Sequence, residues 1–225
     1  MSLRGLKSLS PEIASVLAQH RGSLLLNGLG TISQEVASLL ATHQGNRGFI
    51  SLDGLAALSL PVARSLAKYP GWLRLNGLTS ITPDVAAALG NHRGWLRLDG
   101  LESISVNAAR GLSRHAASQG SLSLNRLSSL SLPVAKAFAN HKGALRCNGI
   151  KMLTDDVVAA LAVHAGLLSL KGLESLSDGA SRKISGHRGP LMFGDSIRLS
   201  EVSARVLSRN PDVRLPPRYR RRRGR

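Results

Sequence analysis

Acidic side chains are scarce in this chain. Thirteen Asp and Glu face 30 Lys and Arg, for a formal net charge of +17. That balance points to a polyanionic partner. Aromatic residues make up only 3% of the sequence, against 43% hydrophobic residues overall, so any core must be mostly Leu, Ala, Val and Ile. Cys147 is the only cysteine. An intrachain disulfide is therefore excluded, and a reducing compartment fits. No apolar run approaches the roughly 20 residues of a membrane-spanning helix. A phosphate-binding Gly-Lys-[Ser/Thr] loop and a dinucleotide fingerprint are both missing. Nothing in the sequence points to an enzyme, a cofactor, a metal or a small-molecule substrate.

What the chain does have is a register. Gly5, Gly28, Gly54, Gly77, Gly100, Arg126, Gly149, Gly172 and, in degenerate form, Asp195 follow one another at intervals of 23 residues, twice lengthened to 26. The longer intervals place three-residue insertions in 44–48 and 116–120. All seven histidines, His20, His43, His92, His115, His141, His164 and His187, lie fifteen residues after one of these positions. Tyr69 takes that place after Gly54. A fixed period of this length marks a solenoid. Residues 1–22 lack an acid before Glu12 and could pass for a transit peptide. Gly5, Leu9, Ser10, Leu17 and His20 are nevertheless in phase, which makes the segment the first repeat.

One unit runs from Trp72 to Gly94. Its first four residues alternate, the signal of a short strand with Leu73 and Leu75 inward and Trp72 and Arg74 outward. Asn76-Gly77 reads as a turn, because Gly accepts positive φ and Asn tolerates it. Leu78 and Ile81 plug the core. Thr82 is an N-cap, Pro83 suits the first helical position, and Asp84 favours the positive end of the helix dipole. Val85, Ala86 and Leu89 form an apolar stripe. The helix ends near His92, with Gly94 available as a left-handed stop. Cys147 replaces the second strand leucine of its unit, so it should be buried and inert.

The repeated Leu-x-Leu-[Asn/Asp]-Gly-Leu-x-x-[Leu/Ile]-[Ser/Thr] segments resemble the leucine-rich repeat over nearly the whole chain, Leu3 to about Asn210. The resemblance implies an α/β fold. It would be a right-handed solenoid of about nine strand–turn–helix repeats, with a parallel sheet on one face, helices on the other and a binding surface rather than a reaction. The loop is shorter than the family's, and its Asn or Asp follows the second strand leucine directly. The resemblance therefore does not by itself carry over the family's asparagine ladder. Residues 1–211 form the solenoid and 212–225 an extended Arg-rich tail.

The histidines admit three readings. Shared zinc would hold two nitrogens within about 4 Å, but no Cys, Asp or Glu recurs beside them. Titration near neutrality is a second reading. The third fits best: one flat ring per repeat covers the core edge, and its nitrogen donates to the last helix carbonyls.

Adjacent strands should stack Phe49, Trp72 and Trp95 in a row beside Arg74 and Arg97, with Arg146 in the same place two repeats on. Such a face can stack bases and meet phosphate; a peptide could use it as well. Alternatively, the tryptophans lid the preceding helix end. Further cations follow the histidines (Arg21, Arg93, Lys142 and Arg188) or lie on the helices (Arg64, Lys68, Arg110, Arg114, Lys136, Arg182, Lys183, Arg205 and Arg209). The tail carries Arg214, Arg218, Tyr219, Arg220, Arg221, Arg222, Arg223 and Arg225, a net +6 over fourteen residues, against +11 for the rest. Arginine-rich segments often order on RNA. The expectation is a structural RNA-binding subunit of a ribonucleoprotein, such as a lineage-specific ribosomal protein. Its partners would be RNA and neighbouring proteins, in the cytoplasm or an organellar matrix such as the mitochondrial one. The alternative is a protein-interaction scaffold using the aromatic–Arg face.

Overall fold

A computed structural model describes residues 1–44, 48–115 and 120–219. The centres of both expected insertions and the terminal Arg220, Arg221, Arg222, Arg223 and Arg225 lie outside the described residues. The strands are β1 (Leu24–Leu25), β2 (Phe49–Ser51), β3 (Trp72–Arg74), β4 (Leu96–Arg97), β5 (Ser121–Ser123), β6 (Ala144–Arg146), β7 (Leu168–Leu170), β8 (Leu191–Phe193) and β9 (Val213–Arg214). They form one open parallel sheet in chain order. The helices are α1 (Pro11–Ala18), α2 (Gln34–Ala41), α3 (Leu60–Leu66), α4 (Pro83–Leu89), α5 (Val106–Ser113), α6 (Leu132–Phe138), α7 (Asp155–Ala162), α8 (Asp178–Ile184) and α9 (Glu201–Leu207). Each packs on the next. The architecture is the leucine-rich-repeat-like α/β solenoid expected from the repeats.

Local chemistry sets these boundaries. Thr82 Oγ1 accepts from the Val85 amide at 3.3 Å, and Ser10, Ser33, Ser105, Ser177 and Ser200 cap their helices in the same way. Pro83 opens α4, as predicted. α4 ends at Leu89, and His92 follows on a turn whose amide donates to the Leu89 carbonyl. Leu73, Leu75, Leu78, Val85, Ala86, Leu89 and Cys147 are all buried in one continuous core. Burial pushes the Cys147 thiol up to about 12, which makes it inert at neutral pH.

Two expectations about the loop change. The turn glycines do not take positive φ. Among the described residues, only Gly189 does, at 131°. Gly77 and Gly100 are glycine for another reason: a Cβ would overlap the carbonyl oxygens of the preceding repeat, those of Asp53 and Leu55, and of Asn76 and Leu78. Gly94 likewise lies against the Gly71 carbonyl and is no left-handed stop. Close stacking of successive backbones, rather than turn geometry, selects the residue.

The second change is that a side-chain ladder does exist. Asn27 Oδ1 accepts from the Asp53 amide (3.2 Å), Asp53 Oδ1 from Asn76 (2.8 Å) and Asn76 Oδ1 from Asp99 (3.0 Å). Asp99 Oδ1 then accepts from Asn125 (2.9 Å), Asn125 Oδ1 from Asn148 (3.1 Å) and Asn148 Oδ1 from Lys171 (3.0 Å). The shorter loop shifts the ladder to the edge of the sheet, where its members are half-buried. Each rung satisfies a loop amide that no strand partner reaches. Asn76→Ala should cost about 1–2 kcal/mol, read as a lower urea midpoint with an unchanged m-value.

The last strand and its closing turn come from residues that the sequence reading places in the tail. Val213 and Leu215 keep the alternation of the other strands, so β9 pairs with β8 and Leu215 is buried. The Tyr219 hydroxyl accepts from the Leu199 amide at 3.0 Å. Arg218 lies over the Tyr219 ring and donates to the Ile197 carbonyl. These two side chains cap the end of the sheet.

Candidate functional site

The outward positions of β2 to β6 make one patch. Register pairs Phe49 with Trp72, Arg74 with Arg97, and Ser123 with Arg146. The Trp72 and Trp95 rings stack with centroids 4.1 Å apart and planes 2° from parallel. The strand spacing itself sets that separation. Trp72 remains 45% exposed, so the tryptophans stand on the sheet face and do not lid a helix end. Arg74 lies over Phe49, and Arg146 over Trp95, each 5.3 Å from the ring centroid. Together they line a cavity of about 280 Å³ with Arg97, Ser121, Ser123 and Asn125.

The sequence brought Phe49, Trp72, Arg74, Trp95, Arg97 and Arg146 to this face, and the structure gathers all six. It missed Ser121, Ser123 and Asn125. Their signal was present: the outward places of β5 hold small hydroxyl residues where both preceding strands hold Trp and Arg.

The charges of this patch are mostly spent internally. Arg74 pairs with Asp53 at 3.3 Å, and Arg97 meets Asp99 at 2.8 Å. Burial pushes the Asp99 carboxyl up, but hydrogen bonds from Ser123, the Asn125 amide and Arg97 outweigh it and hold the group below the usual carboxylate range. Arg146 pairs with no acid among the described residues and donates to Ser121 Oγ. Burial, followed by the charge of Arg97, lowers its affinity for the proton, with Asp99 opposing. Among Arg74, Arg97, Arg146, Asp53 and Asp99, one positive charge is therefore left over.

On the helix side, Arg64, Lys68 and Arg93 line a groove of about 950 Å³ with Tyr69 and Asn91. None of the three joins an ion pair among the described residues. Of the residues expected in the tail, Arg214 lies on β9, and Arg218 and Tyr219 form the cap described above.

The histidines form a column. Successive rings from His92 to His187 stack with centroids 5.6–5.9 Å apart. His20, His43 and Tyr69 form a second stack at the same phase, at 6.3 and 6.0 Å. In three of the rings a nitrogen reaches back one repeat, not to its own helix end, whereas His164 Nδ1 accepts from the Gly166 amide of its own repeat. His43 Nε2 meets the Gly22 carbonyl at 2.8 Å, His115 Nε2 that of Gly94 at 2.9 Å, and His187 Nε2 that of Gly166 at 3.0 Å. The Tyr69 hydroxyl makes the equivalent bond to Gly48. Asn210, at the same phase of the ninth repeat, donates to Ser185 and His187 carbonyls. At His43, Tyr69, His115, His187 and Asn210 the column is thus an inter-repeat staple. Burial, then neighbouring imidazoles, pulls His92 down to about 4, His141 to about 3 and His164 to about 4.

No family model matches the chain, and no curated protein matches it. Among solved structures, it is similar to an internalin from Listeria monocytogenes at 14% identity and a TM-score of 0.39, over 91% of this chain and 81% of that one. The fold assignment rests on the register of strands, helices and ladders.

Proposed function

We propose that this chain is a protein-interaction scaffold whose sheet face, centred on Trp72 and Trp95, receives a segment of a partner protein. The observation that carries this is the pairing of Arg74 and Arg97 with Asp53 and Asp99. It turns a face expected to meet phosphates into a nearly neutral aromatic patch. Exposed Trp beside Arg on a rigid sheet is the composition of a binding hot spot, and a solenoid supplies the rigidity without chemistry of its own. Trp72→Ala should weaken partner binding about 30-fold, the effect of removing a hot-spot side chain of about 2 kcal/mol. Thermal stability should hardly change, because the ring is half exposed. Calorimetric titration with the isolated partner, alongside a melting curve, checks both.

A second reading keeps the ribonucleoprotein subunit. What favours it is the +17 charge together with the Arg64–Lys68–Arg93 groove. In that reading, removal of residues 220–225 flattens the salt dependence of RNA binding, since each lost phosphate contact removes counterion release. That truncation spares β9 and the Tyr219 cap; cutting at 213 would remove both.

A further inference from the structure

The cavity beside the tryptophans has a specific unmet charge. Arg146 spends one N–H on Ser121 and one face on Trp95. A guanidinium carries five N–H donors in a planar fork, so several remain for a ligand. Arg97 crowds it electrostatically, and the Ser121 and Ser123 hydroxyls floor the space between them. Next to this cation stands the Trp72–Trp95 stack.

We propose that this face selects an extended acidic peptide segment, with an Asp or Glu carboxylate seated on Arg146 and an apolar or aromatic side chain two residues away against Trp72 and Trp95. The inference rests on the scaffold reading above and names the partner's chemistry. Charge complementarity decides between a peptide and a nucleic acid. Three guanidiniums face two carboxylates, so the site is matched by a single negative charge. A nucleic-acid strand would instead bring a phosphate every few ångströms along the same surface. Asp53 and Asp99 would repel it there. Spacing agrees with a peptide as well: alternate residues of an extended chain are about 6.6–6.8 Å apart, within the reach of neighbouring strand positions on this face.

The experiment is selection of a randomised heptapeptide display library on the full chain, followed by titration of the enriched synthetic peptides. Trp72 and Trp95 are the chain's two tryptophans, so tryptophan emission reports on this face alone. The expected result is enrichment of Asp or Glu two residues from Leu, Phe, Tyr or Trp. The peptides should change tryptophan emission on binding, and Arg146→Ala should weaken them at least tenfold. Arg146→Lys, which keeps charge without the fork, should recover part of the loss. Peptides that change the emission but carry no acidic preference and ignore Arg146→Ala would overturn the carboxylate assignment and leave the scaffold reading standing. A selection that yields no peptide sensitive to Trp72→Ala would overturn both.

Discussion

Acidification from pH 7 to pH 5 should remove several kilocalories per mole of stability from this protein. His92, His141 and His164 bind protons more weakly when folded than the ordinary imidazole value of 6.5. The folded state therefore carries fewer protons than the unfolded one, and stability rises with pH across the interval between the two values. It is complete above about 6.5 and falls as pH drops towards the folded values of about 4 and about 3. Each group contributes a slope of up to about 1.4 kcal/mol per pH unit. At pH 5, that amounts to about 2 kcal/mol each, or about 6 kcal/mol for the three. A chain of this size loses roughly 2–4 °C in Tm per kcal/mol, so the midpoint should fall on the order of 10–20 °C. His164→Tyr, which copies the natural substitution at Tyr69, should return about a third of the loss. Thermal melts at pH 7, 6 and 5 check the series, and a midpoint flat from pH 5 to 8 would show that the column tolerates charge.

Gly100→Ala should destabilise the array by about 2–3 kcal/mol, the range of a core overpacking that forces backbone to move. Its Cβ would overlap the carbonyl oxygens of Asn76 and Leu78. Gly5 holds the same phase in the first repeat, and a Cβ there meets nothing within 4 Å. Gly5→Ala should therefore stay within about 0.5 kcal/mol of the parent. Arg126 and Asp195 occupy the same phase with a Cβ. A rung can evidently shift to admit one, which limits the cost to this range. Urea midpoints of the two variants decide the matter. Equal effects would mean that contact with the preceding carbonyls does not select the glycine.

These two results mark where the sequence was legible. Periodicity alone gave the strand–helix order, the inward leucines, the cap at Thr82, and the alignment of Trp72 with Trp95. The first three follow from residues within one repeat, and the last from the fixed period itself. What it missed depends on contacts between repeats. Gly77 looks like a turn residue until the Asp53 carbonyl is seen lying against it. The Asn and Asp residues looked misplaced for a ladder because the loop that positions them is short. The histidine nitrogens were assigned to their own helix ends, yet those of His43, His115 and His187 bond one repeat back. At the site, Arg74 and Asp53 sit 21 residues apart, and only the 4.8 Å stacking of strands makes them an ion pair. That pairing moves the reading of the face from phosphate towards peptide.

The most direct test is acrylamide quenching of tryptophan emission in the isolated complex of this chain with its partner, compared with the free chain. Trp72 and Trp95 are the sole emitters in the chain. A partner without tryptophan, or one labelled with fluorotryptophan, keeps the signal clean. A partner seated on the sheet face should cut the quenching constant at least threefold, and binding should be lost with Trp72→Ala. Unchanged quenching in a complex that dissolves with salt and depends on residues 220–225 would contradict the account and place the working surface on the basic side of the molecule.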